Sequence, residues 1–490
     1  MSNLYSSQLN SQKLENPMQP NLKQLSLTDI YTDLDEYFHQ DKPKLIRLFD
    51  QYINLSELIP QSFINHYYSS TGHPRNYKLS SMITALIIKM ILSIADISLL
   101  INVLNLSSEL KTLCDFSRVP NASQFSRLKI DFEDDFLMFF NNLVAITEPI
   151  CRRLRPDLAA ILVVDTTGIE GYVKENNPKA FDSVMRNTRK FSKNIPNFNA
   201  HSYACSQMPK ESLSNKDIKL SYINGHYCYS RKVALVTNGL GIIRHIDFYN
   251  SDNSITLADA KSGAEHKDNY DAKSLIPALN NFFNYHPDFK YKYFLGDAGF
   301  DAIQNYKYLY KDHDIIPIIP LNPRATKNIG KPKISDNGIP TCPKDDSLHM
   351  KFDGSSKEKG RPLRLKWLCP KSKKTAVKGK TTYILSCENP CTTSPCGRMH
   401  HTTVNDNYRL NTIIPRGSDK WIHLYKIRTI IERTNFMVKF PMCLGYTKLR
   451  NTVSLKVEVI LAAITQQIVI LIADKLDKKT HLLSVKSLIA

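Results

Sequence analysis

Nothing near the start of this sequence places a basic stretch, an apolar core and a small-residue cleavage site in that order; residues 1–25 are polar and rich in Ser, Asn and Gln. They are expected to form a loose tail on a cytoplasmic protein. No internal repeat is present, and no apolar run of bilayer length is free of polar interruptions. The run over 82–106 contains Lys89 and Asp96, and the run over 453–473 contains Lys456, Glu458, Gln466 and Gln467. Charge at a bilayer centre is costly, so both runs are expected to be buried helices of a globular protein without a membrane partner. The ten cysteines are spread over 490 residues with no C-x-x-C pair. With no secretion signal read at the start, reduced thiols, or metal ligands where they cluster, are expected rather than a disulfide framework. Acidic residues are in short supply, 46 Asp plus Glu against 65 Lys plus Arg, for a formal charge of +19. Such a field favours a polyanion, either nucleic acid or an acidic membrane, and charge alone does not choose between them.

The length allows two or three domains, and 42% apolar residues suffice for a substantial core. Residues 43–131 follow a helical pattern, with Ser80 or Ser81 placed to cap the run that begins at Met82, so 26–150 is expected to be an all-α N-terminal domain. Within it, 120–130 reads as a cap and a short helix carrying Arg127 and Lys129, either facing DNA or lying on an ordinary surface. The texture then changes. Residues 160–164 form a continuous apolar run ending at Asp165, as in a strand buried on both faces. Residues 232–237 and 242–249 form a hairpin around Asn238 and Gly239. A helix over 271–283, a strand over 291–295 leading into Gly296 and Asp297, a helix over 302–311 and a strand over 315–319 complete an α/β pattern. Periodicity disappears over 320–415, where Lys, Pro, Gly, Ser and Cys accumulate, marking a self-contained insertion. Helical pattern returns over 420–440 and 453–473. The expected organisation is a catalytic domain at 157–320 and 416–475, interrupted by a basic Cys-rich insertion at 321–415 and followed by a C-terminal tail at 476–490.

Asp165 and Asp297 each end a predicted strand, so adjacent strands would project both carboxylates from one sheet edge, an arrangement suited to Mg²⁺ or Mn²⁺. Alternatively, each caps the turn that follows it. Asp301 is expected to N-cap the next helix rather than to bind metal. The third candidate carboxylate, Glu432, lies in KWIHLYKIRTIIERTNFMVKF. Tyr425, Arg428, Glu432 and Lys439 fall at about 0°, 300°, 340° and 320° on a continuous helical wheel. That polar stripe is either a solvated face or a carboxylate flanked by groups that hold phosphates.

The spacing Y-x-x-R-x-x-x-E-x-x-x-x-x-x-K, met at all four positions by Tyr425, Arg428, Glu432 and Lys439, resembles the Y-R-E-K signature of bacterial insertion-sequence DDE transposases. VVDTTGIEGYVKENNPK around Asp165 and FLGDAGFD around Asp297 resemble the first- and second-aspartate segments of a Cys-containing branch of that group. The resemblance extends over about 43–473 and includes GIPTCP and WLCP in the insertion. It implies a ribonuclease H-like mixed sheet with flanking helices, in which Asp165, Asp297 and Glu432 hold two Mg²⁺ or Mn²⁺ ions and catalyse DNA cleavage and strand transfer. Tyr425, Arg428 and Lys439 would position double-stranded DNA, both transposon ends and target. A homodimer in the synaptic complex and a nucleoid-associated location follow from the same resemblance. The alternative is a catalytically inactive or domesticated DNA-binding relative; a nuclease that cuts without joining is disfavoured by the Y-R-E-K stripe.

Half of the cysteines, Cys342, Cys369, Cys387, Cys391 and Cys396, fall in the insertion, with His400 and His401 just beyond. Thiolate and imidazole suit tetrahedral Zn²⁺, which can organise a segment with little core of its own, but the spacing is irregular, so structural zinc and free thiols both stand. The lysines and arginines crowded there, among them Lys357, Arg364, Lys366, Lys373 and Lys374, are either solvated or in contact with phosphates.

Overall fold

The computed structural model describes residues 43–69, 74–223, 226–248, 271–322, 334–335, 338–359, 362–377 and 380–476. The tail expected at 1–25 and nearly all of that expected at 476–490 lie outside the described residues.

Every element among the described residues from 44 to 159 is helical. Three of these helices organise the rest: α1 (Leu79–Ile91), α2 (Ala122–Asp131) and α3 (Glu133–Leu154). Helix α1 is buried on almost all sides, as an apolar run of that length should be if it is a core helix. Its start differs from expectation. Ser80 and Ser81 sit inside the first turn, and the amide of Leu79 donates instead to the Tyr68 hydroxyl, 3.0 Å away. Helix α2 opens with a reciprocal capping box between Asn121 and Gln124. Lys129 does not reach a surface: it is 1% exposed and its Nζ lies 2.9 Å from Glu458. Of the two basic residues in that helix, Arg127 alone is exposed.

The central sheet contains β1 (Ile161–Glu170), β2 (Lys219–Ile223), β3 (His226–Asn238), β4 (Ile243–Phe248), β5 (Tyr293–Leu295) and β6 (Ile316–Ile318), with helix α4 (Asp271–Tyr285) preceding β5. The order is β2-β3-β1-β5-β6, and β4 also pairs with β3. The β2, β3, β4 and β1 pairings are antiparallel; β1–β5 and β5–β6 are parallel. Asp165 does not end β1. The strand continues five residues further because it keeps its ladder with β3 as far as Glu170↔Ser230 after its pairing with β5 stops at Val163. The β3–β4 turn is organised by Asn238, whose side chain accepts from the amides of both Leu240 and Ile242, at 3.1 Å each, and Gly241 adopts φ +78°.

Alternation along β1 divides the sheet's two faces. Leu162 and Val164 pack with Leu275, Leu279 and Phe282 of α4, whereas Ile161 and Val163 pack with Leu295, Leu424 and Ile431 on the opposite face. That second face carries α5 (Asp419–Lys426) and α6 (Thr429–Lys439), and the long α7 (Thr452–Lys475) packs beside them. One continuous core joins α7, the N-terminal helices, and Val233, Leu235, Ile243 and Ile246 of the sheet.

By length and composition α7 resembles a membrane span, but 89% of its most apolar window is buried within the structure. Its polar residues have buried partners. Gln466 accepts from the amide of Ile243 and donates to Gly241 O, Gln467 donates to Ile243 O, and Glu458 meets Lys89 and Lys129. These bonds close the otherwise open backbone at the start of β4.

The insertion has more structure than its composition indicates. Strands β7 (Lys351–Ser356), β8 (Arg364–Leu368) and β11 (Met399–Thr403) form a sheet in the order β11-β8-β7, and β9 (Ser372–Val377) pairs with β10 (Lys380–Leu385). Its buried cluster is small, comprising Met350, Leu365 and Trp367 with Ile339 against them. The chain returning from the insertion is fastened by Asp301. This residue is not the N-cap of a helix, because Ala302 occupies that position. Its buried carboxylate instead receives Arg409 in a two-pronged ion pair (2.9 and 2.6 Å), the Tyr306 hydroxyl (3.0 Å) and the Asn322 amide (2.6 Å). Asp301→Ala should leave the Arg409 charge buried and unpaired and cost about 3 kcal/mol. The expected readout is faster limited proteolysis in 400–416 and a lower midpoint in urea; unchanged proteolysis would show that Asp301 does not hold this segment.

Candidate active site

The site is assembled on the face of β1 that carries Ile161 and Val163. Two residues further along the same side stands Asp165, half-buried. The parallel register pairs Val163 with Leu295. Two residues beyond Leu295, past the end of β5, the chain reaches Asp297, so both aspartates follow the paired residues Val163 and Leu295 by two positions. Gly296 allows the chain to leave β5 there, since a Cβ at this position would come within 2.9 Å of the Phe300 ring. Asp297 also serves the local role considered for it: Oδ1 accepts from the Gly299 amide at 2.8 Å at the head of a single 3-10 turn. Cap and candidate ligand are therefore the same side chain.

The segment 420–440 is not the single helix expected. The amides of Ile427, Arg428, Ile430 and Ile431 each bond three residues back, so the chain tightens between α5 and α6. A 3-10 stretch advances about 120° per residue, which takes Tyr425 out of the phase of a continuous wheel. Three of the four stripe residues nevertheless meet. Arg428 lies over the Tyr425 ring at 5.7 Å and its Nη2 is 2.5 Å from Glu432 Oε1. Burial works against the Arg428 charge, but the bond to Glu432 and the charges of Tyr425, Glu432 and Asp165 outweigh it and hold its pKa above the ordinary arginine value. Tyr425 is pushed up by burial first and then by Asp297 and Glu432, against the pull of Arg428. Lys439 is lowered by burial, partly offset by Cys228, Glu170 and Asp165.

Helix α6 is anchored to the aspartate strand by a residue not singled out from the sequence. Asn435 Nδ2 donates to Asp165 Oδ2 at 2.9 Å, while Asp165 Oδ1 accepts from the Thr166 amide at 2.9 Å. Asn435 follows Glu432 by three residues and so lies on the same helical side; that spacing was the available signal. On the helix's inner side, Thr434 donates to Gly241 O at 2.8 Å and Ile431 enters the core with Val163 and Leu295. Glu432 itself is 54% exposed and paired with Arg428. Among the described residues, no group of three or more His, Cys, Asp or Glu side chains stands at the spacing needed to hold a metal ion.

Residues 33–130, about a fifth of the chain, match the family model described as "Transposase domain (DUF772)"; of these, 33–42 and 70–73 lie outside the described residues. No curated protein matches the chain. Among solved structures, the chain is similar to a piggyBac transposase synaptic complex with hairpin DNA, determined by cryo-EM, at 11% identity and a TM-score of 0.38, covering 91% of this chain and 77% of that one.

Proposed function

We propose that this protein is a DDE-type DNA transposase, with Asp165, Asp297 and Glu432 as its catalytic carboxylates. The observation that supports the reading is that Asp165 and Asp297 each follow by two positions the paired residues Val163 and Leu295 of two parallel neighbouring strands, with the helix bearing Glu432 docked on Asp165 through Asn435. The strand order, antiparallel on one side of β1 and parallel on the other, supports a ribonuclease H-like fold. The transposase-domain match of the N-terminal helices supports the class independently of the carboxylates.

Oxygen donors on Asp165 and Asp297 fit hard divalent cations, Mg²⁺ or Mn²⁺. Two such ions, when bound, would supply an activated water or 3′-hydroxyl and neutralise charge on the leaving oxygen of an in-line phosphoryl transfer. Glu432 would complete the donor set by exchanging its pairing with Arg428 for the metal position. Arg428, thereby released, is well placed to take a DNA phosphate in a two-pronged contact; Lys439 and the Tyr425 hydroxyl would hold neighbouring phosphates. The net charge of +19 suits double-stranded DNA, both element ends and target, and synapsis of two ends implies a homodimer acting at the nucleoid in the cytoplasm.

The Glu432–Arg428 pair also favours a second reading, a DNA-binding relative that has lost catalysis. The test is incubation of the full-length protein with a plasmid bearing its own element's ends, in Mg²⁺ or EDTA. Metal-dependent nicks at the element boundary are the expected result. Binding without cleavage in either Mg²⁺ or Mn²⁺ would favour the inactive relative.

A further inference from the structure

The insertion presents a second constellation, separate from the carboxylates. At one end of its three-stranded sheet, Leu368 pairs with Lys351 on one side and Met399 on the other. Three cysteines issue from that same end: Cys342 from the turn before β7, Cys369 directly after β8, and Cys396 just before β11. Their backbones are tied together. The Cys369 amide donates to Arg398 O at 2.9 Å, and Ser372 Oγ donates to Cys396 O at 2.8 Å. Gly397, at φ +83°, has no Cβ; one placed there would stand 3.2 Å from the Cβ of Cys369.

Cys391 arrives by a different route. Lys344, two residues after Cys342, donates to Asn389 Oδ1 at 2.6 Å and to Pro390 O at 2.9 Å, drawing the loop of Cys391 against the turn of Cys342. The Cys391 thiol is pushed up by burial first, then by Cys342 and Cys369, which places these three side chains in one neighbourhood. Cys342 and Cys369 each begin a Cys-Pro-Lys turn whose carbonyl is closed from three residues on, by Asp345 and by Ser372. Two similar turns presenting thiols at one sheet end, with none of the cysteines joined in a disulfide, form a donor set in search of a cation.

We infer that Cys342, Cys369, Cys391 and Cys396 form a structural Zn²⁺ site that closes one end of the insertion sheet. The chemistry matches: four thiolates select a tetrahedral, borderline-soft cation, and the site supplies stability that the three-residue buried cluster of this sheet cannot. Zinc binding would release the thiol protons and gather side chains that do not stand at ligand spacing in the structure. Cys387 follows β10 close by, since the Ser386 amide donates to Lys371 O and the Leu385 amide to Pro395 O, both at 3.0 Å, but it is a fifth thiol where tetrahedral zinc takes four; His400 and His401 lie further along β11, opposite Trp367 and Lys366. These three are excluded from the set. The function of the bound metal would be to fix the base from which the β9–β10 hairpin, with exposed Lys373 and Lys374, projects. The inference holds whatever the chemistry at Asp165 and Asp297.

The test is metal analysis of full-length protein purified without chelators, with Co²⁺ substitution as an optical probe. One zinc per chain is expected, together with thiolate-to-cobalt charge-transfer bands. Cys369→Ser and Cys391→Ser should each lose at least about tenfold in zinc affinity, while Cys387→Ser retains full stoichiometry. If the serine variants fail to fold, blocking the thiols of folded wild type with an organomercurial should release one equivalent of zinc. Wild type without zinc or cobalt–thiolate bands would overturn the site. Loss of zinc in Cys387→Ser but not in Cys396→Ser would overturn this ligand set.

Discussion

Asp165→Asn should reduce metal-dependent nicking of element-end DNA by at least about a thousandfold, equivalent to roughly 4 kcal/mol of transition-state stabilisation. The substitution is close to isosteric. An asparagine carbonyl oxygen at 165 can still accept from Asn435, so the docking of α6 should survive and the unfolding midpoint should barely change. What disappears is the negative charge that would make this position a ligand for a hard cation. Asp297→Asn should act in the same way and, because its carbonyl can still accept from Gly299, should likewise leave the 3-10 turn in place. Glu432→Gln tests a different link: it weakens the pairing that holds Arg428, so DNA binding is expected to persist or strengthen while cleavage is lost. Nicking and DNA retention, measured on the same preparations, separate these effects. Cleavage at wild-type rates by any of the three variants would remove that residue from the catalytic set.

The largest stability effect is expected at Glu458→Gln. Glu458 on α7 is wholly buried and receives Lys89 from α1 and Lys129 from α2, each at 2.9 Å, so one carboxylate links three helices of the main core. Removing its charge leaves two ammonium groups out of water without a counterion, and loss of one partner from a buried ion pair typically costs about 3–5 kcal/mol. Because the stability of a domain of ordinary size is only about 5–15 kcal/mol, this is a large fraction of the total. Denaturant unfolding at neutral pH measures it.

The same group predicts an acid dependence. Burial opposes the charge of Glu458, but Lys129 and Lys89 outweigh it and hold the carboxyl at about 2. A depressed folded-state pKa contributes stability that is fully present above the unfolded value, about 4.3, and is lost as the pH falls through the folded value. Wild type should therefore lose stability progressively from about pH 4.3 down towards about pH 2, and the Gln variant should show a flatter profile there. Parallel profiles would mean that Glu458 is not the linked group.

The anchoring by Glu458 shows where sequence reasoning reached its limit. A Lys among apolar residues in 82–106 and a Glu in 453–473 were evidence against membrane spans; the second run is a buried helix, whereas the first is buried only over its Leu79–Ile91 helix, and in the following helix, Ile97–Leu106, Leu100 and Leu104 alone are buried. That Lys89 and Glu458 are each other's partners is a contact across 369 positions, which no local pattern encodes. Lys129 failed for the same reason: as a basic residue on a short, capped helix it pointed outward until α7 supplied a buried carboxylate.

The elements of the candidate site were legible because they are periodic. Alternation along β1 puts Asp165 on the side of Ile161 and Val163, while Asp297 was legible as the residue reached just past the short strand that ends at Leu295. Spacing along the third segment brought Tyr425, Arg428, Glu432 and Lys439 to attention, although a 3-10 break alters the phase on which that argument relied. The role of Asp301 as a buried ion-pair anchor and the contact of Asn435 with Asp165 were not legible, since each depends on a partner distant in the chain.

By itself, then, the sequence determined which residues share a strand face or a helix side, because backbone geometry repeats every two or 3.6 residues and needs no partner to do so. It also settled the shortage of negative charge and the concentration of cysteines in one insertion. Tertiary structure alone decided which of these faces meet: that the two aspartate strands are parallel neighbours, that Asn435 docks the third helix on Asp165, and that strand ends bring Cys342, Cys369 and Cys396 to one edge. Those choices rest on packing and burial summed over the whole core, and such sums are not a property of any short stretch of chain.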